Sequence, residues 1–178
     1  MRFVLVYALK LRPAIRSSGL GLATVLEIHR CGGYSAVLDI QDIPEKAKLA
    51  LGPKAHYFKC DLSKSGEIEL AVDQAVSWSK ETNAKLGGVI NSGGVAVAAK
   101  ASDPAEDLRL CRLTFWQTIT GRGVSHSLDM FEFAMRINVI GTFDLTRRTL
   151  EHLIRNDPEG EDGERGVVIM VSSAAAVR

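Results

Sequence analysis

The sequence predicts an open, doubly wound α/β domain with a mainly parallel sheet, and two observations predict it. Short apolar runs at 3–9, 35–40, 55–60, 88–91 and 167–171 lack the alternation of half-exposed strands, so they read as strands buried on both faces. The segments between them place apolar residues at helical spacing. Strands alternating with helices are the pattern of a parallel sheet covered on both sides. A length of 178 residues fits a single domain spanning 1–178.

The elements follow in order. After the first strand, Gly19-Leu20-Gly21 opens a helix whose apolar residues are Leu22, Val25 and Leu26, and Cys31-Gly32-Gly33 stops it. Strand 35–40 comes next, then a short lysine-rich helix, then strand 55–60. Ser63 or Ser65 is the expected cap of a helix reaching Glu81, with Ile68, Val72, Ala75 and Val76 on its core face. Strand 88–91 follows. Residues 101–124 show no periodicity beyond a short helix after Pro104 and receive no assignment. Ser127 caps the longest helical pattern, in which Phe131, Phe133, Ile137, Ile140, Leu145, Leu150 and Ile154 supply apolar faces as far as Asn156. A polar loop, 157–165, leads into strand 167–171.

Composition excludes several classes of function. The hydrophobic fraction of 46% and charged fraction of 24% are those of a globular protein. Lys+Arg of 22 against Asp+Glu of 21 leaves a net charge of +1, no footprint for nucleic acid or an anionic membrane, and points to a small-molecule ligand. Cys31, Cys60 and Cys111 are far apart and form no C-x-x-C pair, so they read as reduced thiols in an intracellular protein, cytoplasmic or mitochondrial. No apolar stretch reaches the about 20 residues of a spanning helix. Residues 1–18 carry Arg2, Lys10, Arg12 and Arg16 without an acid, which fits an organelle transit peptide. The favoured reading is that 3–9 is simply the first buried strand, since such strands appear as short apolar runs. The acids Glu159, Glu161, Asp162 and Glu164 alternate with glycine as in a solvated loop, and no metal site is expected.

The chemistry-bearing features sit where strands end. Gly19 and Gly21 lie at a strand-to-helix turn, where a backbone approaches a pyrophosphate and donates N–H groups from the helix N-terminus. Asp39 ends the second strand about 20 residues on, placed to accept from both ribose hydroxyls of an adenosine. In order, the segments SSGLGLAT, SAVLDI, CDL, INSGGVAVAAK and INVIGTF resemble the short-chain dehydrogenases/reductases, over 17–100 and 128–176. Within that family the likeness is greatest to the type-2 3-hydroxyacyl-CoA dehydrogenases, which also oxidise hydroxysteroids.

The resemblance implies a Rossmann-type fold with strand order 3-2-1-4-5, reaching about five strands in this chain. It places Gly19, Leu20 and Gly21 in the phosphate loop, Asp39 at the ribose, and Asp61 with Leu62 at the adenine. Asn91 and Gly93 fall in the turn beneath the cofactor. It implies that Asn138 holds a water in a proton relay and that Ser173, or Ser172 one residue earlier, hydrogen-bonds the substrate oxygen. It further implies assembly of copies through the helix carrying Asn138. NAD is the expected cofactor, because a carboxylate at Asp39 would repel the 2′-phosphate of NADP.

Three departures accompany the resemblance. Ala14-Ile15 stands where the family has Thr-Gly, with a longer gap before Gly19, and Gly93 replaces an alanine. In the family a Tyr-x-x-x-Lys pair follows the serine, whereas this chain ends at Arg178. Tyr7, Tyr34 and Tyr57 are followed four positions later by Leu11, Leu38 and Asp61, so no pair occurs elsewhere. The expected activity is hydride transfer between NAD and a secondary alcohol or ketone, such as a 3-hydroxyacyl-CoA or a steroid, silent in the 178-residue form. The alternative is a non-catalytic fragment that binds a nucleotide or a partner.

Overall fold

The computed structural model describes residues 2–7, 20–41, 45–95 and 128–172. Five strands form one parallel sheet: β1 (Arg2–Tyr7), β2 (Tyr34–Asp39), β3 (Ala55–Lys59), β4 (Lys85–Asn91) and β5 (Val167–Met170). Their order across the sheet is β3-β2-β1-β4-β5, as expected. The helices are α1 (Leu20–Arg30), α2 (Glu45–Leu51), α3 (Ser65–Glu81), α4 (Leu128–Met135) and α5 (Thr142–Leu153). A π-helical turn, Arg136–Gly141, joins the last two.

Alternate residues of the central strands feed two cores, as the period of a strand requires. On one face Val6, Val37 and Ile90 pack with Val25 of α1 and Leu51 of α2. On the other, Ala36, Leu38 and Val89 meet Ile68, Val72, Ala75 and Val76 of α3 together with Leu145 and Leu153 of α5. The helical spacing of the α3 residues therefore marks a true core stripe. Fully burying side chains of this size contributes about 1.5–3 kcal/mol each.

Two expectations of the sequence are corrected. Lys64, not Ser63 or Ser65, precedes the first turn of α3, and its side chain makes no capping bond. Ser65 instead turns its hydroxyl to Asp144 of α5 at 2.5 Å, because that carboxylate is buried among Arg147 and Arg148 and needs donors. The apolar residues expected to line the long helix do not all reach the core. Ile137 and Leu145 are buried, whereas Phe131, Phe133, Ile140, Leu150 and Ile154 are exposed.

Strand β4 begins at Lys85, earlier than its apolar pattern suggested, because Lys85 and Leu86 pair with Arg2 and Phe3 of β1; on its other side it meets β5 from Gly88 onward. A Cβ there would collide with the main chain of Val167, so the glycine permits β5 to lie close beside β4. Residues 101–124 and the expected cap Ser127 lie outside the described residues.

Candidate functional site

The chain leaves β1 for β2 on one side, while the strand on the other side of β1 is β4. Such a change of direction opens a crevice at the carboxyl ends of the strands, where α/β sheets bind ligands. Register places Tyr7, Leu38, Asn91 and Met170 at that level. Most of the residues singled out in the sequence are brought to this edge.

Helix α1 starts there at Leu20, which is exposed, while Gly21 is buried. Its first turn carries no acidic side chain, and a helix N-terminus brings a partial positive charge to this edge. Gly19 lies outside the described residues. Asp39 closes β2, and its main chain is fixed from β3: its carbonyl accepts from Cys60 N at 2.9 Å and from the Tyr57 hydroxyl at 2.7 Å. Its carboxylate accepts from Gln41 N at 3.0 Å, which sets the carboxylate's direction.

Asp61 follows β3. Its Oδ1 accepts from Ser63 N at 2.9 Å and its Oδ2 lies 3.7 Å from Lys64 Nζ. Burial pushes the Asp61 carboxyl up, but the hydrogen bonds from Ser63 and the Lys64 charge outweigh it and hold the group below its usual value. Its own N–H donates to Glu67 Oε2 at 3.0 Å. Leu62 is 2% exposed, main chain included, and belongs to the core, so the expected adenine contact is corrected to Asp61 alone. The Leu62 main chain is pressed against Gly141, where a Cβ would collide with the Leu62 carbonyl.

Asn91 ends β4, is 4% exposed, and receives Val171 N on its carbonyl at 2.9 Å. Its Nδ2 donates to Thr146 Oγ1 at 3.1 Å, and its Oδ1 is buried with no hydrogen-bond partner among the described residues. Gly93 and Gly94 continue the turn. Asn138, in the π-helical turn, then clamps the chain after β4. Its Oδ1 accepts from Val95 N and its Nδ2 donates to Val95 O, both at 2.8 Å. Both ends of the amide thus grip one backbone residue. A Cβ on Gly94 would sit 3.1 Å from Asn138 Oδ1, so small residues in this turn let the clamp close.

Ser172 is exposed just beyond β5, and Ser173 lies outside the described residues. Sequence reasoning missed Thr146, which holds Asn91, and Asp144, which ties α3 to α5. Neither belongs to a motif, and each acquires its partner only when the helix packs on the sheet. Among the described residues no group of His, Cys, Asp and Glu is placed to hold a metal, and no helix is long and apolar enough to cross a membrane. Cys60 is no nucleophile, since burial, with the negative charges of Glu67 and Asp61, pushes its thiol up to about 12.

The arrangement suits a dinucleotide. A helix N-terminus, an oriented carboxylate and a buried acceptor without a partner among the described residues stand at the carboxyl edge of one sheet. A sequence profile described as short chain dehydrogenase matches residues 16–178, and the chain belongs to that family. It is 27% identical over 162 residues to the bovine (Bos taurus) 3-hydroxyacyl-CoA dehydrogenase type-2, covering 90% of this chain and 54% of that one. To the 2,5-dichloro-2,5-cyclohexadiene-1,4-diol dehydrogenase of Sphingobium indicum it is 30% identical over 161 residues, with 90% and 52% covered. Among solved structures, the 3-ketoacyl-(acyl-carrier-protein) reductase of Brucella melitensis, complexed with NADH, superposes with TM-score 0.70 at 19% identity, covering 98% of this chain and 58% of that one. A short-chain dehydrogenase/reductase from Serratia marcescens gives TM-score 0.68 at 20% identity, covering 99% and 57%. The chain thus spans about half the length of the curated relatives it matches.

Proposed function

We propose that the chain forms the NAD-binding part of an oxidoreductase acting on a secondary alcohol or ketone, with a 3-hydroxyacyl-CoA or a steroid as the substrate class. The carrying observation is Asp39 at the carboxyl end of β2, its carboxylate directed by Gln41 N. A carboxylate there accepts from a ribose diol and repels a 2′-phosphate. The N–H groups opening α1 bind the pyrophosphate, Asp61 lines the adenine side, and Asn91 and Gly93 lie beneath the cofactor. Bound NAD supplies or accepts the hydride.

The substrate oxygen is polarised by Ser173 or Ser172, and Asn138 holds the turn at Val95 in place. Reduction of a carbonyl also needs a proton donor, and oxidation needs an acceptor, which neither serine nor asparagine supplies near neutral pH. The 178-residue chain by itself therefore binds NAD without turning over at an enzymatic rate. Titration with NADH and NADPH, followed by nucleotide fluorescence, tests the first part: tighter binding of NADPH refutes it. NADH oxidation with a 3-ketoacyl-CoA tests the second, comparing this chain with a version extended through a Tyr-x-x-x-Lys segment. Equal turnover would overturn it.

One observation favours a partner-binding role beside the cofactor. Phe131, Phe133, Val139, Ile140 and Phe143 lie exposed along α4, the π-helical turn and α5. Apolar surface on this scale marks an interaction site, and a second copy of the chain is the proposed occupant.

A further inference from the structure

The two polar atoms of the Asn91 side chain are treated unequally, and Thr146 is the cause. Thr146 has a single hydroxyl proton and donates it to the Thr142 carbonyl at 2.7 Å. Toward Asn91 that hydroxyl is left with lone pairs only, so it accepts from Nδ2 at 3.1 Å and offers nothing to Oδ1. The flip of the carboxamide is thereby decided. With Nδ2 committed to α5, Oδ1 lies on the other side of the amide, buried without a donor among the described residues, in a residue that register places level with Tyr7 and Met170. Buried acceptors are nearly always satisfied, so this one calls for a donor that the described residues do not supply.

We infer that Thr146 is a positioning residue for cofactor binding: anchored on Thr142, it holds Asn91 so that Oδ1 faces the crevice as an acceptor for an N–H or O–H group of a bound nicotinamide dinucleotide. This rests on the reading of the crevice given above. Thr146 touches no ligand itself. Its hydroxyl acts through the amide, and a valine, equal in shape, would leave the amide free to flip. A serine keeps the hydroxyl and should keep the arrangement.

The test uses the 178-residue chain and NADH. T146V should weaken NADH about tenfold, the loss expected when a buried polar group loses its partner, while T146S stays within about twofold of the parent. In an N91A background T146V should have no further effect on affinity, since the amide through which it acts is gone. In ¹⁵N-labelled parent protein the Asn91 side-chain amide signal should shift on adding NADH, a readout that survives even if T146V fails to fold. Unchanged affinity in T146V, equal weakening in T146S, an undiminished effect of T146V in N91A, or an Asn91 amide unmoved by bound NADH each overturns the inference alone. A parent chain that binds neither NADH nor NADPH overturns the crevice reading and this inference together.

Discussion

Two stretches of this molecule carry comparable apolar patterns and meet different fates. In α3 the stripe Ile68, Val72, Ala75 and Val76 is buried throughout, and the neighbouring strand β4 is buried from Leu86 to Asn91. In α4 no residue is buried, Ile140 and Phe143 face outward, and Ile169 and Met170 of β5 are exposed beside the buried β4. Helix α5 shows both conditions at once, since Leu145 and Leu153 enter the core while Phe143 and Leu150 do not. Apolar periodicity therefore marks surface that needs covering. It does not say what covers it.

The largest effect that would break this contrast is in the covered region. Leu145→Ala should cost about 2–5 kcal/mol of unfolding free energy, since it empties a fully buried site between α5 and the sheet. Urea denaturation measures it, and a change under 1 kcal/mol, on that same scale, would mean that α5 is not part of the core. Gly141→Ala comes next. The added methyl would meet the Leu62 carbonyl and lie 2.8 Å from its Cβ, and backbone cannot yield as a side-chain tip can. Overpacking of this kind costs about 1–3 kcal/mol, and because Leu62 follows Asp61 the change should weaken NADH binding as well.

In the uncovered region the same measurement should read almost nothing. Phe143→Ser removes an exposed ring, so its effect on unfolding should stay within about 0.5 kcal/mol. Its effect on self-association should be large, and sedimentation at several concentrations should show a shift toward monomer. Unaltered association would remove a second copy as the occupant of that face.

The smallest expected effect is a pH dependence from His29 on α1. Burial, with a contribution from the Lys54 charge, holds its imidazole below the ordinary value of 6.5. The unfolded chain then takes up the proton first as pH falls. The contribution of His29 to stability is complete above about pH 6.5, declines below it, and levels off once the folded form is protonated too. His29→Gln should flatten that part of the stability profile, and an unchanged slope would assign the dependence to other groups.

Much of the candidate site was legible because its residues lie at strand ends, and strand ends are visible in sequence. Asp39 and Asn91 follow apolar runs and land where a ligand crevice forms. The role of Asn138 was less legible. Its motif marks the position, but the two bonds to Val95 depend on a π-helical turn that no local pattern announces. The expected serine cap of α3 failed for a related reason. The Ser65 oxygen, which a cap would offer to a backbone N–H, accepts from Arg148, and its proton goes to Asp144, a residue 79 positions away in sequence.

The sequence by itself determined the strand and helix alternation, the parallel sheet and the residues at its carboxyl edge, because side-chain period and glycine placement are local properties of the chain. Only the tertiary structure decided which apolar faces are covered, which hydroxyl orients Asn91, and how closely Gly141 approaches Leu62. Those outcomes depend on distances between elements far apart in sequence, and a hydrogen bond or a steric contact exists only once packing has brought both partners within reach.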